Sequence, residues 1–86
     1  MIDPARQMRG VRRDVTPVEE VCATIYRPEP GVRDPHFSCL IHCPEIFEWA
    51  KRIVGVDESQ ALELSEEFVK TMFEHHKIEL VETKPL

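Results

Sequence analysis

Gly55-Val56-Asp57-Glu58-Ser59-Gln60-Ala61-Leu62 begins the stretch whose reading decides the fold, and it runs on without a break to Phe73-Glu74-His75-His76. Asp57 is a favoured N-cap residue, because its carboxylate can accept from backbone N–H groups that the first helical turn leaves unpaired. Gln60, three positions on, can reach back to the cap's own N–H in the manner of a capping box. At about 100° per residue, Ala61, Leu62, Ser65, Phe68, Val69, Met72, Phe73 and His76 share one side, and Glu63, Glu66, Glu67, Lys70 and Glu74 share the other. The pattern predicts an amphipathic helix from about Asp57 to His76. Glu58 near its start and His75, His76 and Lys77 near its end match the sign of the helix dipole. Such a helix needs an apolar surface to cover.

Upstream, Val21-Cys22-Ala23-Thr24-Ile25-Tyr26-Arg27 is rich in β-branched and aromatic residues and reads as a strand. Pro28, Pro30, Gly31 and Pro35 then force a turn. From His36 to Cys43 the chain alternates, with Phe37, Cys39, Ile41 and Cys43 on one side and His36, Ser38, Leu40 and His42 on the other. If Val21, Ala23 and Ile25 face the same core, pairings such as Val21 with Ile41 and Ala23 with Cys39 follow. A slip by one residue would bury the histidines instead. Pro44 closes this strand, and a third is expected over about 46–54, with Phe47, Trp49 and Ile53 on the core face. Lys51 breaks that face and marks an edge strand. Ile78-Glu79-Leu80-Val81 could add a short last strand. The expected fold is α+β: a three-stranded, at most four-stranded, antiparallel sheet with one amphipathic helix on one face.

Eighty-six residues allow one domain. We read residues 1–17 as a disordered basic arm, 18–81 as the domain and 82–86 as a disordered tail. The arm carries Arg6, Arg9, Arg12 and Arg13 against Asp3 and Asp14, a formal +2, so the rest carries −7 of the total of −5. An acidic body is repelled by phosphate backbones, which argues against nucleic-acid binding through the folded part. No apolar run approaches the roughly 18 residues of a membrane span, and the N-terminal stretch has no signal-peptide core. No membrane role is expected, and the cytoplasm is the default compartment. Cys22, Cys39 and Cys43 are an odd set that fits free thiols in a reducing compartment.

The stretch Ile53-Val54-Gly55-Val56-Asp57-Glu58-Ser59-Gln60-Ala61-Leu62, following a strand that ends in Cys43-Pro44, resembles a family of small uncharacterised bacterial α+β proteins. Their strand ends on an apolar-x-Gly-x-Asp-x-x-Gln-Ala-Leu pattern and runs into an amphipathic helix. The resemblance covers about residues 36–75 and implies two or three antiparallel strands with one helix; it points to no particular activity. The motif has a structural account: Gly55 for the strand-to-helix bend, Asp57 and Gln60 as structural cap, and Ala61 for close packing.

Candidate chemistry is sparse. His36, Cys39, His42 and Cys43 have the composition of a zinc site, and a ligand- or metal-binding protein using them is the alternative reading. On a strand, however, His36 and His42 lie roughly 20 Å apart and the cysteines point the other way, whereas zinc needs ligands within about 2.3 Å of one point. His75 and His76 are adjacent and diverge around the helix. Cys22 or Cys43 with His36 or His42 as base would be the nucleophile candidates, but no oxyanion donor, phosphate loop or carboxylate pair accompanies them. The expectation is a non-enzyme with no cofactor.

What remains is a surface. With one helix in the chain, one sheet face stays uncovered, and Tyr26, Thr24, Leu40 and His42 are the partner-surface candidates on it. The sequence therefore reads as a protein-interaction or accessory module, a homodimer through that face or an edge strand, or a binder of another protein. Glu63, Glu66, Glu67 and Glu74 could form a second, acidic surface for a basic partner.

Overall fold

A computed structural model describes residues 3–31 and 35–86. The tip of the proline-rich turn, residues 32–34, lies outside the described residues, as do the first two residues of the expected arm. The elements are β1 (Pro4–Arg12), β2 (Glu19–Tyr26), β3 (Glu29–Pro30), β4 (Phe37–His42), β5 (Lys51–Gly55), α1 (Glu58–His75) and β6 (Ile78–Pro85). All strand pairs are antiparallel and form one sheet. β2 and β3 both pair with β4 and are joined only by Arg27 and Pro28, so they lie end to end along one side of it. β5 pairs with β4 alone and β6 with β1 alone, which makes them the two edges. Read across, the order is β5, β4, β2 with β3, β1, β6. α1 leaves one edge and returns at the other, so it crosses the whole sheet on one face.

Under the helix, alternate residues of each strand are buried. Met8 of β1, Val21, Ala23 and Ile25 of β2, and Cys39 and Ile41 of β4 meet Ala61, Val69 and Phe73 of α1, with Cys43 and Ile78 completing the cluster. Ser65 is buried in the same stripe, and its hydroxyl donates to the Ala61 carbonyl at 2.7 Å, so that hydroxyl is not orphaned. The cap forms as the sequence predicts at Asp57, whose Oδ1 accepts from the Gln60 N–H at 2.8 Å. Gln60 reaches back one residue further than a capping box requires: its Oε1 accepts from the Val56 N–H at 2.7 Å. Lys77 follows the C-cap at φ 58°, the left-handed position that glycine usually fills.

Gly55 is needed for a reason different from the predicted bend. No glycine among the described residues has positive φ, but a Cβ on Gly55 would lie 2.4 Å from the Ala61 nitrogen and 2.8 Å from its Cα. The helix start rests directly on the strand, and only hydrogen fits between. Gly10 plays the same part under the far end of α1, where a Cβ would meet Ile78 Cγ2 at 2.4 Å and Phe73 Cε2 at 2.8 Å.

Several expectations need correction. The sheet has more strands than three or four, because both ends of the chain join it. Residues 4–12 of the supposed disordered arm form β1, an inner strand between β2 and β6 that buries Met8 completely. Its three arginines, and Arg13 just beyond it, meet glutamates elsewhere in the chain: Arg6 with Glu66 at 3.2 Å, Arg9 with Glu82 at 3.1 Å, Arg12 with Glu19 at 3.5 Å and Arg13 with Glu79 at 2.8 Å. These pairs are exposed or half-buried, and pairs still open to water add little stability, so burial of Met8 does more to hold β1 than they do. The tail likewise extends β6 through Pro85.

The third strand, expected over 46–54, begins only at Lys51. Pro44 does end its strand, and the Ile46 and Phe47 N–H groups both donate to the Cys43 carbonyl at 3.0 Å. Phe47 reaches the core from this loop, 6.3 Å from the Phe68 ring, and Lys51 places its ammonium 5.6 Å from the Phe47 centroid. Trp49 is not on a core face at all: it sits on a bend and is 78% exposed. Finally, Ile25 rather than Val21 lies opposite Ile41, and Thr24 opposite His42. The register is displaced by four residues, yet odd still faces odd, so the predicted faces are those observed.

Candidate functional site

The face opposite α1 is built by the residues that alternate with the core. β2 contributes Cys22, Thr24 and Tyr26; β1 sets Arg9 and Gln7 opposite Cys22 and Thr24, and Val11 opposite Glu20. β4 contributes Ser38, Leu40 and His42, and β5 sets Arg52 opposite Leu40 and Val54 opposite Ser38. At the far edge, Glu79, Glu82 and Lys84 of β6 lie opposite Val11, Arg9 and Gln7. Among the described residues no helix or second sheet packs on this face.

Its middle is a strip of half-buried side chains, Cys22, Thr24, Tyr26 and Leu40, with His42 exposed beside Thr24. The polar flanks are largely tied to one another. Arg9 and Arg13 pair with Glu82 and Glu79, and Arg52 Nη1 donates to Ser38 Oγ at 2.8 Å. All four residues named from the sequence, Tyr26, Thr24, Leu40 and His42, are on this face. Gln7, Arg9 and Val11 were not foreseen, because β1 was not; Trp49 was foreseen on the wrong surface.

None of the three thiols is activated by its surroundings. Beyond the end of β4 the Cys22 N–H has no ladder partner, and Glu45 Oε1 accepts from it at 3.1 Å. Burial, and then that carboxylate, raise the Cys22 thiol, with Gln7 and Arg9 pulling weakly the other way. Burial and Glu45 push Cys43 up to about 11, and burial raises Cys39, with the neighbouring Ser65 pulling it back. All three are protonated at neutral pH, the opposite of an activated cysteine.

The proposed ligand quartet is split. His36 and His42 are exposed, while Cys39 and Cys43 are buried on the helix side of the sheet. Among the described residues no group of three or more His, Cys, Asp or Glu side chains is placed to hold a metal ion. His75 and His76 stack edge to face, with centroids 5.4 Å apart, at the helix end. The acidic helix surface is broken up as well, since Glu66 pairs with Arg6 and Glu67 lies 3.6 Å from Lys70.

Two concavities stand out among the described residues. One of about 340 Å³ lies between the start of β1 and the start of α1, lined by Ala5, Arg6, Arg27, Pro28, Glu58, Leu62 and Leu86. Its charges are of both signs, and Arg6 is already engaged by Glu66. The other, about 190 Å³, is lined by Gly31, His36, Phe37, Ser38, Arg52 and Val54 and opens at the rim of the uncovered face. Among the described residues no helix is long and apolar enough to cross a membrane. Comparison of the chain with protein-family models, with curated proteins and with solved structures finds no match.

Proposed function

We propose that this chain is a small protein-interaction module that acts by surface complementarity rather than catalysis, with a second copy of itself docked on the open sheet face. The observation that carries the reading is the one-sided cover: α1 crosses the sheet on one face, and the opposite face keeps an aromatic and aliphatic strip inside a rim of mutually paired charges. A two-fold contact brings the same strip of each copy together, so Tyr26 and Leu40 meet residues of equal polarity. The protonated thiols and divided histidines supply no competing chemistry.

Cys22 reports on this face directly. Its alkylation rate is expected to fall as protein concentration rises in the wild-type chain, and to be independent of concentration in Tyr26→Asp and Leu40→Asp. Circular dichroism checks that both variants stay folded. A wild-type rate that does not change with concentration would remove the proposal.

A further inference from the structure

β6 offers a second, separate surface. It is an eight-residue edge strand whose outer backbone groups have no partner among the described residues, and Leu80 and Val81 on it are 37% and 48% exposed. Such an edge is a template for another strand. We propose that it pairs antiparallel with β6 of a second copy, in the register that sets Glu79 of each copy opposite Lys84 of the other.

The register follows from a bulge. Glu82 lies opposite Arg9 and Leu80 opposite Gly10, so Val81 is an extra residue with no counterpart in β1. Before it Glu79 points to the open face; after it Glu82 and Lys84 do. Ile78, Leu80, Thr83 and Pro85 point to the helix side, opposite Arg12, Gly10, Met8 and Arg6. Facing residues in an antiparallel pair must share a side of the sheet. A regular strand meets its own copy about a residue or pair that leaves even spacings, but the phase shift at Val81 centres the match between two residues instead.

Centred between Val81 and Glu82, the pairing matches sides for every pair outside the bulge: Glu79 with Lys84, Leu80 with Thr83 and Ile78 with Pro85. One step toward the N-terminus opposes Glu79 to Glu82, a like-charge contact. One step the other way opposes Glu82 to Thr83, which point to different faces. A register centred on Thr83 would set Glu82 opposite Lys84 but leaves Ile78 and Glu79 unpaired; of the registers that pair the whole strand, the first brings two opposite-charge pairs together, and Lys84 has no ion pair among the described residues. Charges and a bulge on an edge strand commonly deter pairing. Here they deter strands of other pattern and are complementary to their own copy.

This contact does not depend on the open-face reading, and the test keeps the two apart. In a Tyr26→Asp background, Lys84→Glu and Glu79→Lys are prepared separately and then mixed, and species are resolved by native mass spectrometry. Each variant alone meets like charges twice and should dissociate about 30-fold more readily than the parent. In the mixture every cross-strand pair is again Glu with Lys, so mixed dimers should recover parental affinity and dominate. The fold of each variant is checked by circular dichroism, and Lys84→Glu removes no contact within the chain. A parent that stays monomeric, single variants that pair as the parent does, or mixed dimers at no more than the statistical ratio would each overturn the proposal; the last would give the edge to a foreign strand or to none.

Discussion

Gly55→Ala should be the most damaging small substitution in the molecule. The added Cβ would lie 2.4 Å from the Ala61 nitrogen, 2.8 Å from the Ala61 Cα and 2.9 Å from the Gln60 carbonyl carbon. A comfortable contact is about 3.5 Å, so helix and strand must part by roughly 1 Å. The obstacles are backbone atoms in a capped first turn, which no rotamer change can move. Overpacking costs about 1–3 kcal/mol when side chains can adjust, and the upper end or more applies here. At about 4–8 °C per kcal/mol for a domain of this size, 3 kcal/mol lowers Tm by about 12–24 °C.

The comparison is Gly10→Ala, whose nearest neighbours, Ile78 Cγ2 and Phe73 Cε2, are side-chain atoms, and whose nearest backbone atom, the Glu79 oxygen, is 3.0 Å away on an edge strand. That variant should lose about 1–2 kcal/mol. Thermal and urea unfolding followed by circular dichroism, at one protein concentration, measures both. A Gly55→Ala loss below about 1 kcal/mol, or a larger loss for Gly10→Ala, would refute the close-approach argument.

Three further outcomes follow from the packing. Met8→Ala removes a fully buried side chain from β1 and should cost about 2–5 kcal/mol in urea unfolding, where a free arm would show no change. Lys77→Gly relieves a left-handed backbone at φ 58° and should stabilise by about 1 kcal/mol, raising Tm by about 4–8 °C. The Cys43 thiol ionises near its ordinary value of 9.0 in the unfolded chain and at about 11 in the fold. Its contribution is therefore complete below pH 9 and is lost as pH rises toward 11. Wild-type stability should fall more steeply across that window than that of Cys43→Ala, and parallel curves would contradict the assignment.

The features legible in the sequence are those fixed by neighbours. Asp57, Gln60 and the 3.6-residue stripe from Ala61 to Phe73 give a helix whose start and buried face need no long-range knowledge. The alternation from Phe37 to Cys43 likewise gives its faces. Register is harder: side-chain parity fixes it only in steps of two, and the expected pairing missed the observed one by four residues with every face still matched.

β1 was illegible because its helix-side positions include Arg6, Gly10 and Arg12, so no apolar alternation marks it. The signal there was non-local, three arginines in β1 and Arg13 beside it in a chain whose remainder is strongly acidic, and all four pair with glutamates of the same chain. β6 hid for the matching reason: as an edge strand it buries only Ile78. Phe47 reaches the core from a loop, which a strand template could not anticipate. The open face was legible because one helix can cover only one side of a sheet.

The most direct test of the account is the alkylation rate of Cys22 followed against protein concentration, with mass by light scattering on the same samples. Cys39 and Cys43 are 0% and 1% exposed and give a slow background. The account predicts a rate that falls at least about tenfold between dilute and concentrated wild-type protein as mass rises above the 10.0 kDa of one chain, and no such fall in Leu40→Asp. A mass of 10.0 kDa at every concentration, with Cys22 equally reactive throughout, would contradict it.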